Sequence, residues 1–330
     1  MNSILNLIRN WTLPVAMTLG IGGYLLFRYL PILDPVAECY APLSSYVLPI
    51  LMFLVLFVVF CKTDFHQLRL KRWHLYVAML QTLLVALFMA PMLVWPLSVS
   101  WFILLEALLA IVICPCAAAA PVVTMKLGGN LEQMTSYTFL SNLVSALLIP
   151  LCFPLLPGAC ERSAEMAFLP LFIGILWKVM AVLLLPMIAA WITKKFLPRF
   201  HGWVISIKDL SYYMWAFTLM LVSGTTARNI AEAWQRTPLI LLLAIAFFAL
   251  LVCLLQYGLG RLVGGRFGRP IEAGQGMGQK NTAFAIWTTT AFLTPLSSVG
   301  PGCYILWQNT INSLEIYHYS SAKEKANQKA

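Results

Sequence analysis

Long apolar runs dominate the 330-residue sequence and recur along most of its length. Each run is about 20 residues long, which is the length that an α-helix needs to cross the hydrocarbon core of a bilayer. Only 10% of the residues are charged, whereas a soluble domain carries about 25%. A soluble fold of this size would lack the polar surface that it needs. The sequence therefore predicts an all-α polytopic membrane protein.

Ten transmembrane helices are predicted from the apolar runs, and the seventh is expected to continue through Thr226. They are approximately Trp11–Leu30, Ser44–Cys61, Trp73–Val94, Trp101–Met125, Met134–Leu156, Leu169–Trp191, Leu210–Val222, Pro238–Leu259, Gln275–Leu293 and Gly302–Tyr319. They divide into five in residues 1–160 and five in residues 161–330, within a single membrane domain. Because each half has an odd number of crossings, we expect the second half to be an inverted repeat of the first.

Lysine and arginine are concentrated in the even-numbered loops. These include Lys62, Arg69, Lys71 and Arg72 in the second loop, Lys194, Lys195, Arg199 and Lys208 in the sixth, and Arg261, Arg266 and Arg269 in the eighth. Positive charge favours the cytoplasmic side, so we predict a multi-pass protein of the cell (inner) membrane with both termini in the cytoplasm. The basic residues form short separate clusters and no continuous patch, so the net charge of +10 does not indicate nucleic-acid binding.

Two of the apolar segments are interrupted. The fourth contains prolines at 115 and 121, and the ninth begins with the glycine-rich stretch Gly274–Asn281. Proline removes a backbone donor and breaks a helix. The breaks occupy corresponding places in the two halves, a pattern typical of transporter binding sites. We therefore predict that the fourth and ninth helices are broken where they cross and form a site there, the alternative being two ordinary kinks.

The motifs at these breaks resemble those of the bile acid:sodium symporter family. Residues 114–124 with 127–130 resemble its fourth-helix signature, residues 276–283 its ninth-helix signature, and Trp307-Gln308-Asn309 with Ser313-Leu314 its tenth-helix pattern. The resemblance implies a panel domain of helices one, two, six and seven and a core domain of the other six. It also implies alternating-access transport of an organic anion, either bile acid-like or a small carboxylate, usually driven by sodium.

The residues at the two sodium sites that the resemblance implies differ from the family pattern. The first site would be formed at Ala120, Pro121, Met134 and Thr138, and Gln81 is close to a further ligand position. The second would be formed at Gly276 and Lys280, where the family pattern has glutamate and glutamine. Sodium, as a hard cation, needs several oxygen ligands, and alanine, proline, methionine and glycine side chains provide none. We interpret the chain as a divergent member whose sodium coupling is altered or lost.

Lys280 is the residue on which we expect transport to depend, because a lysine at membrane depth is costly and usually functional. We hypothesise that its ammonium occupies a cation position. There it could hold the two breaks together through backbone carbonyls, attract an anionic substrate, or exchange a proton. The alternative is a structural ion pair with Glu106.

Glu106 and Lys178 are the other charges predicted at membrane depth, where they should face protein or water, although Lys178 could also extend to the interface. The remaining candidate transport residues lie at the breaks and in the tenth helix, and the resemblance places Asn281 and Asn309 at the substrate cavity. These residues are Gln279, Asn281, Asn309, Pro115, Cys116, Pro121 and Thr124. The histidines His66, His74 and His201 are expected at the surface.

Other classes of function fit less well. No combination of nucleophile and base predicts an enzyme, and the scattered cysteines predict no metal site. The expected partners are therefore an organic anion and the lipid bilayer. No cofactor is expected, and sodium remains possible only without its usual ligands. Two alternatives remain open. One is arsenite efflux, because Pro115-Cys116-Ala117-Ala118 partly matches the Pro-Cys-Thr-Ala motif of permeases in the same superfamily. The other is a membrane sensor or binding protein that has kept the fold without transport.

Overall fold

The computed structural model describes residues 12–63, 68–159, 168–207, 210–234 and 237–327, so Trp11, His66 and Lys208 lie outside the described residues. Fourteen α-helices occupy these ranges. They are α1 Thr12–Tyr29, α2 Asp34–Cys61, α3 Arg72–Val94, α4 Val99–Ile113, α5 Ala120–Lys126, α6 Leu131–Cys152, α7 Phe168–Leu183, α8 Leu185–Phe196, α9 Pro198–Ser206, α10 Leu210–Trp234, α11 Leu239–Gly265, α12 Pro270–Gly278, α13 Thr282–Phe292 and α14 Val299–Asn327. The described part contains no β-strand, so the all-α prediction is confirmed.

Several described helices could cross a membrane by length and composition. Arg72–Val94, Leu131–Leu155 and Leu239–Gly265 each qualify alone, and α7 with α8 would form a fourth span. The shorter apolar helices include α4. These features agree with a polytopic membrane protein, while the count of ten crossings and the inverted repeat of residues 1–160 and 161–330 remain predictions.

The predicted breaks in the fourth and ninth segments are confirmed. Helix α4 ends at Ile113 and α5 begins at Ala120, while α12 ends at Gly278 and α13 begins at Thr282. Cys114 precedes a proline and has the extended backbone that this position favours. Pro121 lies in the first turn of α5. At this position a backbone N–H group would have no acceptor within the helix, so proline loses no hydrogen bond there. The prolines therefore determine where the fourth segment stops and restarts.

The sixth and seventh segments differ from the sequence prediction. The sixth is not one helix, because α7 and α8 meet at an angle of 41° at Leu184. Pro186 lies in the first turn of α8 and cannot donate to the helix before it. The seventh segment is longer than predicted, since α10 continues past Thr226 to Trp234.

Two groups of helices surround the breaks. In the helices that correspond to the implied panel domain (α1, α2, α7, α8 and α10, the panel helices), α1 packs along α10, α2 packs against α8 and α10, and α7 packs mainly against α6 of the core. A Cβ atom on Gly20 of α1 would overlap the carbonyl oxygen of Met220 in α10, so only glycine allows this approach. In the core helices (α3–α6 and α11–α14), α11 packs against α12, α14 and α4, and α3 packs against α4. The broken segments belong to the core helices.

Candidate transport site

The two breaks pair with each other through their backbones. The N–H group of Ala117 donates to the carbonyl of Gln279, and that of Asn281 donates to the carbonyl of Pro115, each at 2.9 Å. Cys116 and Lys280 thereby form an antiparallel bridge. We call residues 114–119 and 279–281 the crossover. The pairing satisfies backbone groups that unwound helices would otherwise leave exposed to hydrocarbon, and two unrelated kinks would not produce it.

Lys280 holds the end of α4. Its Nζ atom donates to the carbonyl oxygens of Val112 at 3.2 Å and Cys114 at 3.1 Å, and the residue is only 1% exposed. These carbonyls lie at the C-terminus of α4, where the helix dipole favours a cation. This contact corresponds to the first of the three hypothesised roles, in which the ammonium joins the breaks through backbone carbonyls.

The carboxylate of Glu106 is engaged elsewhere. It accepts hydrogen bonds from Ser297 Oγ at 2.6 Å and from the N–H group of Thr294 at 3.2 Å. The Lys280–Glu106 ion pair considered from the sequence is therefore not the contact that the structure describes.

Two neutral side chains satisfy the remaining carbonyls at the end of α4. Gln81 Nε2 lies 3.3 Å from the carbonyl oxygen of Ile113 and 3.2 Å from that of Cys114, and Ser145 Oγ donates to the Ile113 carbonyl at 2.7 Å. A helix C-terminus leaves such carbonyls without intrahelical donors. Ser145 was not predicted, although a serine within an apolar helix is a recognisable signal.

The residues at the first implied sodium position do not fit a cation. Ala120 and Met134 are fully buried and offer no oxygen from their side chains. Pro121 lies in the first turn of α5. The hydroxyl of Thr138 donates to the carbonyl of Met134 at 3.0 Å and lies 3.8 Å from Cys116 Sγ. One hydroxyl is too few ligands for a hard cation.

At the second implied sodium position, the family's ligand residues are replaced, and packed side chains also fill the space beside Gly276. A Cβ atom on Gly276 would lie 2.8 Å from the ring of Tyr137 and 3.5 Å from Met134 Cε. Tyr137 is fully buried and stacks on Trp73 with ring centroids 5.4 Å apart. The volume that a glutamate side chain would enter is therefore occupied by packed side chains. No local pattern in the sequence singles out Tyr137.

A cavity of about 30 Å³ separates the crossover from the panel helices. Lys280, Asn281, Thr282 and Gln308 line one side, and α2 and α10 line the other with Met52, Leu56, Thr218 and Leu219 among their residues. A cavity of this size holds only a few water molecules at most. An organic anion could enter only if the panel and core helices moved apart.

Gln308, rather than Asn309, lines this cavity. Its Oε1 atom accepts from the N–H group of Lys280 at 2.9 Å. Asn309 is buried, and its Nδ2 atom has no hydrogen-bond partner among the described residues. Asn281 caps α13 by accepting from the N–H group of Phe284 at 3.2 Å. The signal for Gln308 was its place inside the tenth-helix motif.

Other candidate residues lie in the crossover or on α5 without lining the cavity. Gln279 is buried, and its backbone carbonyl takes part in the bridge. Cys116 is buried, and its N–H group donates to Ser141 Oγ at 2.9 Å. Thr124 is fully buried, and its hydroxyl has no partner among the described residues.

Lys178 and His74 lie away from the crossover. Lys178 is exposed on α7, with its Nζ atom 5.6 Å from the ring centroid of Phe292. The prediction that His74 is at the surface is wrong, since it is fully buried beside Trp73 and accepts at Nδ1 from the N–H group of Lys71. His201 is partly buried, and its Nε2 atom lies 2.9 Å from the carbonyl oxygen of Cys61.

Comparison with known proteins identifies a family. The family model described as Sodium Bile acid symporter family matches residues 49–233, which is more than half of the chain. No curated protein matches the sequence significantly. The matched region includes the first break and ends at the last turn of α10.

Proposed function

The chain belongs to the sodium bile acid symporter family, whose members are membrane transporters and not enzymes, and from this premise we propose that it moves an organic anion by alternating access with sodium coupling altered or lost. The expected substrate is bile acid-like or a small carboxylate. The basic even-numbered loops support the proposed orientation, in which both termini lie in the cytoplasm and the protein spans the cell (inner) membrane.

The contact of Lys280 Nζ with the carbonyls of Val112 and Cys114 carries this proposal. A cation that binds these carbonyls from solution could leave in each transport cycle, whereas the lysine ammonium is covalently attached. It supplies the positive charge at the end of α4 at every stage of the cycle. Gln81 and Ser145 donate to the same group of carbonyls, so sodium would have to displace three donors.

The position of the cavity supports alternating access. It lies between the panel helices and the crossover, and Lys280 is the charged residue among those that line it. Opening on either face would expose this surface to an anion, and closure would leave the small volume described above. Separation of the two helix groups is thus the motion that the proposal requires.

Transport in proteoliposomes tests the proposal. Purified protein is reconstituted, and counterflow of radiolabelled bile acids and small carboxylates is measured with sodium chloride or choline chloride on both sides. We expect at least one anion to exchange at equal rates in the two media, because a fixed ammonium replaces the mobile cation. Strict dependence on sodium would contradict the proposal, and empty liposomes provide the control.

Expression in cells tests the first alternative, and the same proteoliposomes test the second. For arsenite efflux, Cys116 is the candidate thiol, but it is buried beside Thr138 and is not among the residues that line the cavity. Cells expressing Cys116→Ser should therefore show the same arsenite sensitivity as cells with the wild-type chain. Saturable anion binding without counterflow would instead indicate a sensor or binding protein.

A further inference from the structure

The segment 292–302, which runs from the last residue of α13 through the connection into the first turn of α14, packs on the core helix α4. Glu106 of α4 accepts from Ser297 Oγ at 2.6 Å and from the N–H group of Thr294 at 3.2 Å. A Cβ atom on Gly300 would lie 2.8 Å from Cβ of Ala107, the residue after Glu106. The segment therefore follows α4 in any movement of the core helices.

The same segment also contacts two panel helices. Asn229 Nδ2 of α10 donates to Ser298 Oγ at 2.7 Å. One turn earlier on α10, Thr226 packs so closely on Gly302 that a Cβ atom there would overlap its side chain. Lys178 of α7 places its ammonium over the ring of Phe292, an arrangement in which cation and ring attract each other.

These contacts lie at one end of the cavity. Thr226 follows the cavity residue Leu219 by seven positions on α10, which corresponds to about 10 Å along the helix axis at 1.5 Å per residue. Asn229 lies farther in the same direction, toward the end of α10 at Trp234. The segment thus lies beyond the cavity residue Val222, at the end of α10 that is remote from the basic sixth loop.

We infer that segment 292–302 is a latch that closes the cavity on this face, and that Glu106 is the residue that positions it. The inference rests on the proposed function, because a latch requires two states. Fastened, the segment bridges α4 to α7 and α10 through the contacts of Asn229, Thr226 and Lys178. Released, it moves with α4 and opens the cavity. Glu106 fixes the turn that presents Ser298 to Asn229.

A substitution that forces the segment away from α10, and a second one that relieves the overlap, test the latch directly. The readout is labelling of a cysteine at the cavity residue Thr218 by a membrane-impermeant maleimide added from the latch face. The background lacks Cys39, Cys160 and Cys303, while the other five cysteines are buried. Gly302→Ala should raise the labelling rate about tenfold, because the added methyl group overlaps Thr226 and forces the segment away.

Two comparisons make this result specific. Gly22→Ala is the matched control, since a Cβ atom there has nothing within 4 Å, and it should leave labelling unchanged. Adding Thr226→Ala to Gly302→Ala removes the overlapping side chain and should return labelling toward the control rate. Equal labelling of Gly302→Ala and Gly22→Ala, or failure of the rescue, would overturn the latch.

Glu106→Gln tests the positioning role separately. It keeps the shape of the side chain but loses the charge that strengthens both hydrogen bonds. Labelling from the latch face should rise about fivefold, while labelling from the opposite face should fall, because release of the latch shifts the balance between two states. A variant that merely loosened the fold would be labelled faster from both faces, and that result would overturn the role of Glu106.

Labelling does not depend on transport, so the two hypotheses can fail independently. If no anion crosses the membrane but labelling responds as described, the latch stands and the proposed function fails. If an anion is transported and Gly302→Ala has no effect on labelling, the latch fails and the proposed function stands.

Discussion

The ammonium of Lys280 lies 3.1 Å from the carbonyl oxygen of Cys114, which links one break to the other through a side chain as well as through the backbone. The backbone bridge alone would leave the last carbonyls of α4 without donors at membrane depth. The lysine satisfies two of them and supplies the positive charge that the C-terminus of α4 favours. The lysine thus supplies at the end of α4 the positive charge that a bound cation would otherwise supply.

Replacing Lys280 by glutamine should impair both stability and transport. The Val112 carbonyl would lose its charged donor and that of Cys114 would keep only the neutral donor Gln81, and a buried carbonyl left unsatisfied costs about 1–3 kcal/mol. We expect a lower Tm in detergent and at least a tenfold loss of anion counterflow. Lys126→Gln is the control, because Lys126 is exposed at the end of α5. Unchanged Tm and counterflow in Lys280→Gln would show that the charge has no role at the crossover.

Restoring the family residues at the second implied sodium position should not restore sodium dependence. In Gly276→Glu with Lys280→Gln, the new carboxylate meets the ring of Tyr137, which already lies 2.8 Å from the site of a Cβ atom. We expect misfolding or counterflow that is indifferent to sodium, measured over a range of sodium concentrations. Activation of the double variant by sodium would mean that the packing of Tyr137 is not a barrier.

The parts of this site that depend on local chemistry could be predicted from the sequence. Prolines 115 and 121 act on the residues beside them, so the position of the first break follows directly from the chain. A lysine in a glycine-rich break is equally visible, and its need for oxygen partners at membrane depth follows from its charge. That Lys280 contacts backbone carbonyls was one of the three hypotheses drawn from the sequence.

The parts that depend on helix packing could not be predicted. Tyr137 fills the space beside Gly276 only because α6 and α12 approach closely, and a separation of the two by a few ångströms would leave room for a longer side chain. The choice of Gln308 over Asn309 as a cavity residue depends on the rotation of α14 about its axis. Glu106 was recognisable as a buried charge, but its partner Ser297 is 191 positions away.

Any side chain at Gly278 should destabilise the fold, because Gly278 lies against the ring of Tyr257 at the end of α12. A Cβ atom there would overlap the ring, and the Gly278 carbonyl accepts a hydrogen bond from the Tyr304 hydroxyl at 2.6 Å. Gly278→Ala should therefore destabilise the fold by about 1–3 kcal/mol, detected as a lower Tm in detergent. Gly258→Ala on α11 is the control, since nothing lies within 4 Å of its Cβ position, and equal Tm values would contradict the expectation.

Loss of the Glu272 charge should destabilise the fold more than loss of an exposed charge of the same type. Glu272 Oε1 accepts from the N–H group of Asn130 at 2.9 Å and from Arg269 Nη1 at 3.2 Å, with the glutamate side chain only 4% exposed. It joins the connection between α5 and α6 to the start of α12, behind the crossover.

Glu272→Gln weakens two hydrogen bonds to a buried carboxylate and should cost about 1.5–3 kcal/mol. Glu232→Gln is the matched control, because Glu232 pairs with Arg228 on the exposed face of α10, where the side chains are 57% and 61% exposed. Such surface pairs contribute about 0.2–1 kcal/mol, so the control should lower Tm much less when both variants unfold thermally in the same detergent. An equal decrease in the two variants would mean that Glu272 does not hold the two segments together.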